Sequence, residues 1–318
     1  MTTRSNDDVS VAHCWFGVDR VPGDPATTAW KRLARQRQAR WRESHGYPIG
    51  AQPYRGGDGA TPVGSRLALD FAKASGSNFV TAAALTAARS RLANPERHQM
   101  IREDRLWADL LSSMPLCFNV FGDCGVDVEQ ATAAVRSWWP NAPSGAATAR
   151  FEHSPGRRDP SFLANQSAFD VSFHIDAGSD TRAIIGVETK YHEHAKPEPA
   201  PGPAALNRYV EVADCSGVFI DGWRAAVVGT ELQQIWLDHL LVLAMLQHPS
   251  GTWSWGRFVL VYPSENPSFA RAAAAYRGVL RDTETFESRT LENLLESPAL
   301  PADTRAAVGD RYLDRRAG

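Results

Sequence analysis

The chain has 318 residues, 43% hydrophobic and 22% charged, enough for a sizeable core in one large domain or two small ones. Its formal net charge of −2 excludes a global cationic field, so any nucleic-acid binding must use a local patch. No apolar run reaches membrane-spanning length, MTTRSNDDVS lacks a signal-peptide core, and Cys14, Cys117, Cys124 and Cys215 form neither a CxxC pair nor a zinc spacing, which predicts a cytoplasmic protein with reduced thiols.

Residues 1 to about 25 are polar with scattered prolines and carry no periodic pattern. Trp30 to Glu43 (WKRLARQRQARWRE) reads as a helix with Trp30, Leu33, Ala34 and Trp41 available for packing. Its Lys31, Arg32, Arg35, Arg37, Arg40 and Arg42 meet no acid before Glu43. That face either contacts phosphates, with Lys31 and Arg35 as candidates, or is simply solvated. Gly46 to Gly64 reads as loop, and the Ala-rich run Ser65 to Leu92 as helix broken near Gly76–Asn78. Glu96 to Ser113 predicts a further helix, striped by Ile101, Leu106, Leu110 and Leu111. Pro115 reads as an interruption, Leu116 to Gly122 as a buried aromatic segment, and Val126 to Trp139 as a helix.

The second half changes character. Ala147 to His153 predicts a strand, followed by the polar loop Ser154 to Asn165, where Arg157 and Arg158 are candidates to clamp backbone phosphates. Pro197 to Pro203 (PEPAPGP) reads as a stiff spacer. Helices are predicted over Leu206 to Val218, Glu231 to Gln247, Phe269 to Arg281 and Leu291 to Leu295. Gly256 to Tyr262 (GRFVLVY) predicts a central strand covered on both faces. The expectation is a mainly helical region over residues 1–125, then a three-layer α/β unit with a mixed sheet over 126–318. His192-Glu193-His194 lacks the i, i+4 spacing of a helical metal motif and reads as a solvated strand end. Trp138, Trp139, Trp253 and Trp255 read as packing residues.

The most informative stretch is AFDVSFHIDAGSDTRAIIGVETKY, Ala168 to Tyr191. Phe169, Val171, Phe173 and Ile175 alternate with Asp170, Ser172, His174 and Asp176, the period of a strand with one buried face. A turn at Gly178–Asp180 and a second β-rich run follow. A hairpin centred on Ser179 places Asp170 opposite Glu188, with Lys190 emerging on the same face.

Paired carboxylates on rigid strands are the ligands that Mg²⁺ or Mn²⁺ takes, and the Thr189 carbonyl is a further candidate ligand. A divalent ion there acidifies water and offsets charge on a phosphate in transition, while an adjacent ammonium orients the attacking water or stabilises developing charge. The plainer reading is a surface ion pair across a hairpin. A carboxylate-pair glycosidase would leave Lys190 without a role. The chain contains no Walker A, GxSxG or GxGxxG motif.

Asp170…Glu188-Thr189-Lys190, on the second and third strands of an αβββαβ arrangement, resembles the PD-(D/E)XK nuclease superfamily. The chain is further similar to a bacterial restriction-endonuclease-like group through RWRESHGYPIG, LLSSMPLCFNVFG, FEHSPGRRDP, AFDVSFHI, GVETKYHE, LQQIWLDHLL and FVLVYPSENPSF, between about residues 30 and 296. Phe169 stands where the superfamily's name has proline. The resemblance implies a restriction-endonuclease-like fold and phosphodiester hydrolysis with Mg²⁺ or Mn²⁺. Asp170 and Glu188 match the metal-binding acids and Lys190 the catalytic lysine. Glu152, or alternatively Glu129, matches an upstream acid, and Gln234 lies where some members place a glutamine. It further implies a nucleic-acid substrate, DNA ahead of RNA, a setting in restriction or defence, and a homodimer or defence-system partner. The alternative is a catalytically silent binding or assembly module that retains the fold.

Overall fold

Helix α1 (Pro25–Ser44) starts where its first turn is satisfied: Asp24 accepts from the Thr27 N–H at 3.0 Å, and Pro25 sits where a missing N–H costs nothing. The computed structural model describes residues 19–52, 61–99, 101–178 and 180–313. The cationic face of α1 is mostly turned inward, with Arg40 alone of its six basic residues exposed. Lys31, Arg35 and Arg42 are buried, Arg42 donates to the Gly64 carbonyl at 2.9 Å, and Arg37 reaches Glu265 at 2.9 Å and the Tyr312 carbonyl at 2.7 Å.

The Gly/Pro-rich loop expected next contains a hairpin, β1 (Ile49–Gln52) and β2 (Thr61–Leu67). Gly50 is the reason it escapes a reading by composition. A Cβ there would lie 2.0 Å from the Leu67 carbonyl oxygen, so the glycine marks close strand contact rather than a turn. Helix α2 (Leu69–Ser75) ends at Gly76 in the left-handed region, as the expected break requires, and α3 (Ala82–Ala93) follows. The helix expected over 96–113 is reduced to α4 (Glu103–Ala108). Pro115 starts rather than interrupts: it occupies the first turn of α5 (Ser113–Val126), capped by Ser112, and the aromatic segment 116–122 is the buried body of that helix. Helix α6 (Val128–Trp138) lies within its expected range.

Strands β3 (Ala147–His153), β4 (Phe169–Gly178) and β5 (Thr181–Thr189) form an antiparallel meander. Helices α7 (Pro203–Ser216), α8 (Trp223–Val227) and α9 (Gln233–Leu246) lead to β6 (Trp253–Tyr262), which joins β5 in parallel. Helix α10 (Pro267–Arg277) then leads to β7 (Phe286–Thr290), parallel to β6, and α11 (Leu291–Glu296) and α12 (Ala302–Tyr312) close the chain. The sheet order is β3-β4-β5-β6-β7.

Period-two alternation divides the strands between two cores. Val171, Phe173, Ile185, Val187 and Val259 pack with α1, α3, α5 and α6 residues such as Trp30, Ala84, Phe121 and Trp138. Ile184, Phe258, Leu260 and Phe286 pack with Tyr209, Trp236, Leu240 and Tyr276 of α7, α9 and α10. The result is helix–sheet–helix, with the expected mixed sheet at its centre. Arg311, fully buried on α12, donates to the Asn78 carbonyl and side-chain oxygens at 2.6 Å each and to Gln38 at 3.1 Å. No helix among the described residues is long and apolar enough to cross a membrane.

Candidate active site

The register that pairs Val171 with Val187 carries Asp170 against Glu188. On the other side, Phe151↔Val171 and His153↔Phe169 flank Glu152 and set it against Asp170. Three carboxylates therefore lie in one row across β3, β4 and β5. Glu152 has φ +48°, a left-handed conformation that a glutamate adopts only when its surroundings impose it. The hairpin register is centred as the alternation predicts, although Ser179 itself lies outside the described residues.

Each acid is held differently. Asp170 accepts from the Thr189 N–H at 2.8 Å and the Thr189 hydroxyl at 2.5 Å. Glu188 receives the Lys190 ammonium at 2.6 Å, with side chains only 12% and 7% exposed. Burial pushes the Glu188 carboxyl well above its ordinary range and Asp170 adds to the rise, while Lys190 opposes it. Burial likewise raises Asp170 against the pull of Lys190 and Thr189. Glu152 is pushed up to about 8 by burial and then by Asp170. Burial alone would depress Lys190, but Glu188, Asp238, Glu193 and Asp170 surround it and hold the ammonium above its usual range.

A sequence profile of the PD-(D/E)XK nuclease superfamily matches residues 24–314. The chain belongs to the PD-(D/E)XK nuclease superfamily. Comparison with curated proteins and with solved structures returns no significant match. The five-stranded mixed sheet between helical layers agrees with the restriction-endonuclease-like fold, and membership supports a nuclease-type, hydrolytic activity.

The superfamily's acid and Glu-x-Lys positions coincide with Asp170, Glu188 and Lys190. Asp170 lies at the start of β4, Glu188 at the end of β5 and Lys190 just beyond it. Phe169, in place of proline, lies over Gly186, where a Cβ would meet its ring at 2.3 Å. Thr189 is buried and gives its N–H and hydroxyl to Asp170, which orients that carboxylate; its carbonyl, the expected ligand, is not engaged by these bonds. Of the two upstream acids, Glu152 stands in the row and Glu129 is exposed on α6. Gln234 is half-buried on α9, one turn before an acid that sequence reasoning missed. That acid is Asp238. Its Oδ2 is buried without a hydrogen-bond partner among the described residues. Burial pushes its carboxyl up to about 7 against the pull of Lys190, and Asp170 and Glu198 add to the rise.

The donor set suits a hard divalent cation: carboxylate oxygens of Asp170, Glu188 and Glu152, and an unsatisfied one on Asp238. Among the described residues no three His, Cys, Asp or Glu side chains already stand at metal-ligand spacing. Asp170 is turned to Thr189 and Glu188 to Lys190.

The expected basic contacts are placed unevenly. Arg35 gives one edge of its guanidinium, Nε and Nη2, to the fully buried Asp19 at 2.7 and 2.8 Å, and a further N–H to Ser65. Lys31 lies 3.4 Å from His194. Arg157 donates to Glu96 at 2.7 Å and to the Glu152 carbonyl at 2.6 Å, while Arg158 is exposed. The His192–His194 stretch is bonded inward rather than solvated: His192 pairs with Asp19 at 2.9 Å, and Glu193 accepts from the Tyr191 N–H at 2.9 Å and the Ser113 hydroxyl at 3.1 Å.

Proposed function

We propose that this protein hydrolyses phosphodiester bonds of nucleic acid, DNA ahead of RNA, using Mg²⁺ or Mn²⁺ in a cytoplasmic restriction or defence setting. The observation that carries this reading is the row Glu152–Asp170–Glu188 with Lys190 against its end. Asp170 and Glu188 would hold the cation, with Glu152 beside them. A bound divalent ion supplies charge neutralisation at the phosphate and a more acidic water.

The protein's own residues supply orientation. Thr189 fixes one oxygen of Asp170 through its two hydrogen bonds, leaving the other free to turn to a ligand. Lys190 is buried and protonated, so it offers a fixed positive charge to a phosphate oxygen and to water approaching it. If Glu188 turns from Lys190 to the cation, the ammonium needs another anion, and the unsatisfied Asp238 oxygen is placed to supply it.

The test is cleavage of plasmid DNA, single-stranded DNA and RNA in Mg²⁺, Mn²⁺ or EDTA, comparing wild type with Lys190→Ala. The expected result is metal-dependent cutting reduced at least about 10³-fold in the variant. Equal cutting by both proteins, or none by wild type on any substrate, would overturn the reading and favour a silent binding module.

A further inference from the structure

A groove of about 650 Å³ opens between the Glu96–His98 turn and the Ser154–Asp159 loop, which begins two residues after Glu152. Its charge is mostly cationic: Arg97, His98 and Arg158 are exposed on its walls beside one exposed carboxylate, Asp159, which accepts from the Ser161 N–H and hydroxyl. Among the described residues neither Arg97 nor Arg158 forms an ion pair, and Arg158 donates to the Gln166 amide oxygen. Slight desolvation, then the charges of Arg158, Arg97 and Arg157, hold the His98 imidazole below its ordinary range, the mark of a positive potential at that wall.

The groove is also built. Glu96 organises it, accepting from His153 at 2.5 Å, the Ser154 N–H at 3.2 Å, Arg157 at 2.7 Å and Arg91 at 3.3 Å. These bonds consume its negative charge within the protein. Two groove residues, His98 (φ +62°) and Arg158 (φ +61°), adopt left-handed backbone conformations that side-chain-bearing residues rarely hold. The Ser154 hydroxyl, on a residue only 9% exposed, is buried without a hydrogen-bond partner among the described residues. A buried hydroxyl left unsatisfied costs stability unless something outside the protein completes it.

We propose that this groove binds a backbone phosphate of the substrate strand, next along from the bond to be cut. Arg97, Arg158 and His98 provide charge and donors, and Ser154 donates its hydroxyl to a phosphate oxygen. Arg157 is the hinge of the arrangement rather than a contact: its two Nη atoms tie Glu96 to the Glu152 carbonyl, so the groove floor and the carboxylate row share one brace. A strand crossing Glu152 and Asp170 therefore enters the groove with its next phosphate. The identity of the ligand rests on the nuclease reading; the presence of an anion site does not.

The experiment measures binding without cutting. A labelled oligonucleotide, as single-stranded DNA, duplex DNA or RNA, is titrated with the full chain in EDTA over a salt series. The Arg97→Ala/Arg158→Ala pair is expected to weaken binding about tenfold or more at low salt and to reduce the log K versus log salt slope by about 1 to 2. Ser154→Ala, which removes no charge, is expected to weaken binding about threefold with an unchanged slope. The double variant should melt with the wild type, since the arginines are exposed, and Ser154→Ala at or above it, since it removes a buried unsatisfied hydroxyl. Wild-type affinity and slope in the double variant, or no binding by wild type to any of the nucleic acids, would overturn the proposal. Binding that follows these expectations without metal-dependent cleavage would sink the nuclease reading alone. Cleavage together with an unaltered slope would sink the groove alone.

Discussion

Asp238 isolates what a single side chain contributes to the site. A buried carboxylate oxygen without a donor is a cost that a structure retains only for a reason outside its own packing. Asp238→Asn removes the charge while keeping the shape. The expected result is a metal-free protein as stable as wild type or more so, with cleavage lowered about 10- to 100-fold, because Lys190 loses its second anion. Thermal melting and single-turnover rates check this; full activity in the variant would leave Asp238 without a function. Asp170, Glu188 and Lys190 were legible in the sequence because both arms of one hairpin fix which residues share a face. Asp238 was not, although a lone acid inside the apolar LQQIWLDHLLVLAML was the available signal. The basic helix misled for the opposite reason: composition shows that Arg35 is charged but not that Asp19, distant in sequence, accounts for that charge.

At the scale of elements, β4 and β5 act as one unit, and Gly186 controls how closely they settle. The Phe169 ring occupies the space a Cβ on Gly186 would need, and Phe169 immediately precedes Asp170. Gly186→Ala must therefore displace the ring and, with it, the backbone that carries the carboxylate. The expected cost is about 1–3 kcal/mol of stability, accompanied by a loss of cleavage greater than the loss of folded protein at the assay temperature. Denaturant unfolding alongside specific activity separates the two; unaltered stability and activity would mean that Phe169 can move aside freely. Strands β3 to β6 were readable because alternation or an unbroken apolar run survives burial on a sheet. The β1–β2 hairpin was hidden by Gly50, which serves close contact, α5 by a proline that belongs to its first turn, and β7 by having only Phe286 fully buried. Helix α12 was hidden because it buries Arg311 and Tyr312 rather than an aliphatic stripe.

Across the whole molecule, two sets of carboxyls pull the pH dependence of stability in opposite directions. Burial raises Glu96, but His153, Ser154 and Arg91 prevail and hold it at about 2. A depressed acid contributes stability above its unfolded range near 4.5, and that contribution is lost as pH falls toward 2, about 3 kcal/mol when fully removed. The site acids act the other way. Glu152 at about 8 and Asp238 at about 7, with Glu188 and Asp170 also raised, keep protons that the unfolded chain has already released. Between about pH 4.5 and 8 the native state therefore binds more protons than the unfolded state, and stability falls as pH rises. Metal-free protein is expected to melt highest near about pH 5 and to lose stability toward pH 8. A divalent cation replaces those protons as the counter-charge, so Mn²⁺ or Mg²⁺ should raise the melting temperature more at pH 8 than at pH 6. Melting curves in EDTA and in each metal measure this directly. Asp170→Asn combined with Glu188→Gln should flatten the alkaline limb and abolish the metal-induced rise, whereas Glu96→Gln should flatten only the acid limb. A melting temperature that stays level from pH 5 to 8 in EDTA would show that the carboxylate row carries no excess protons, and that a cation has no charge deficit there to fill.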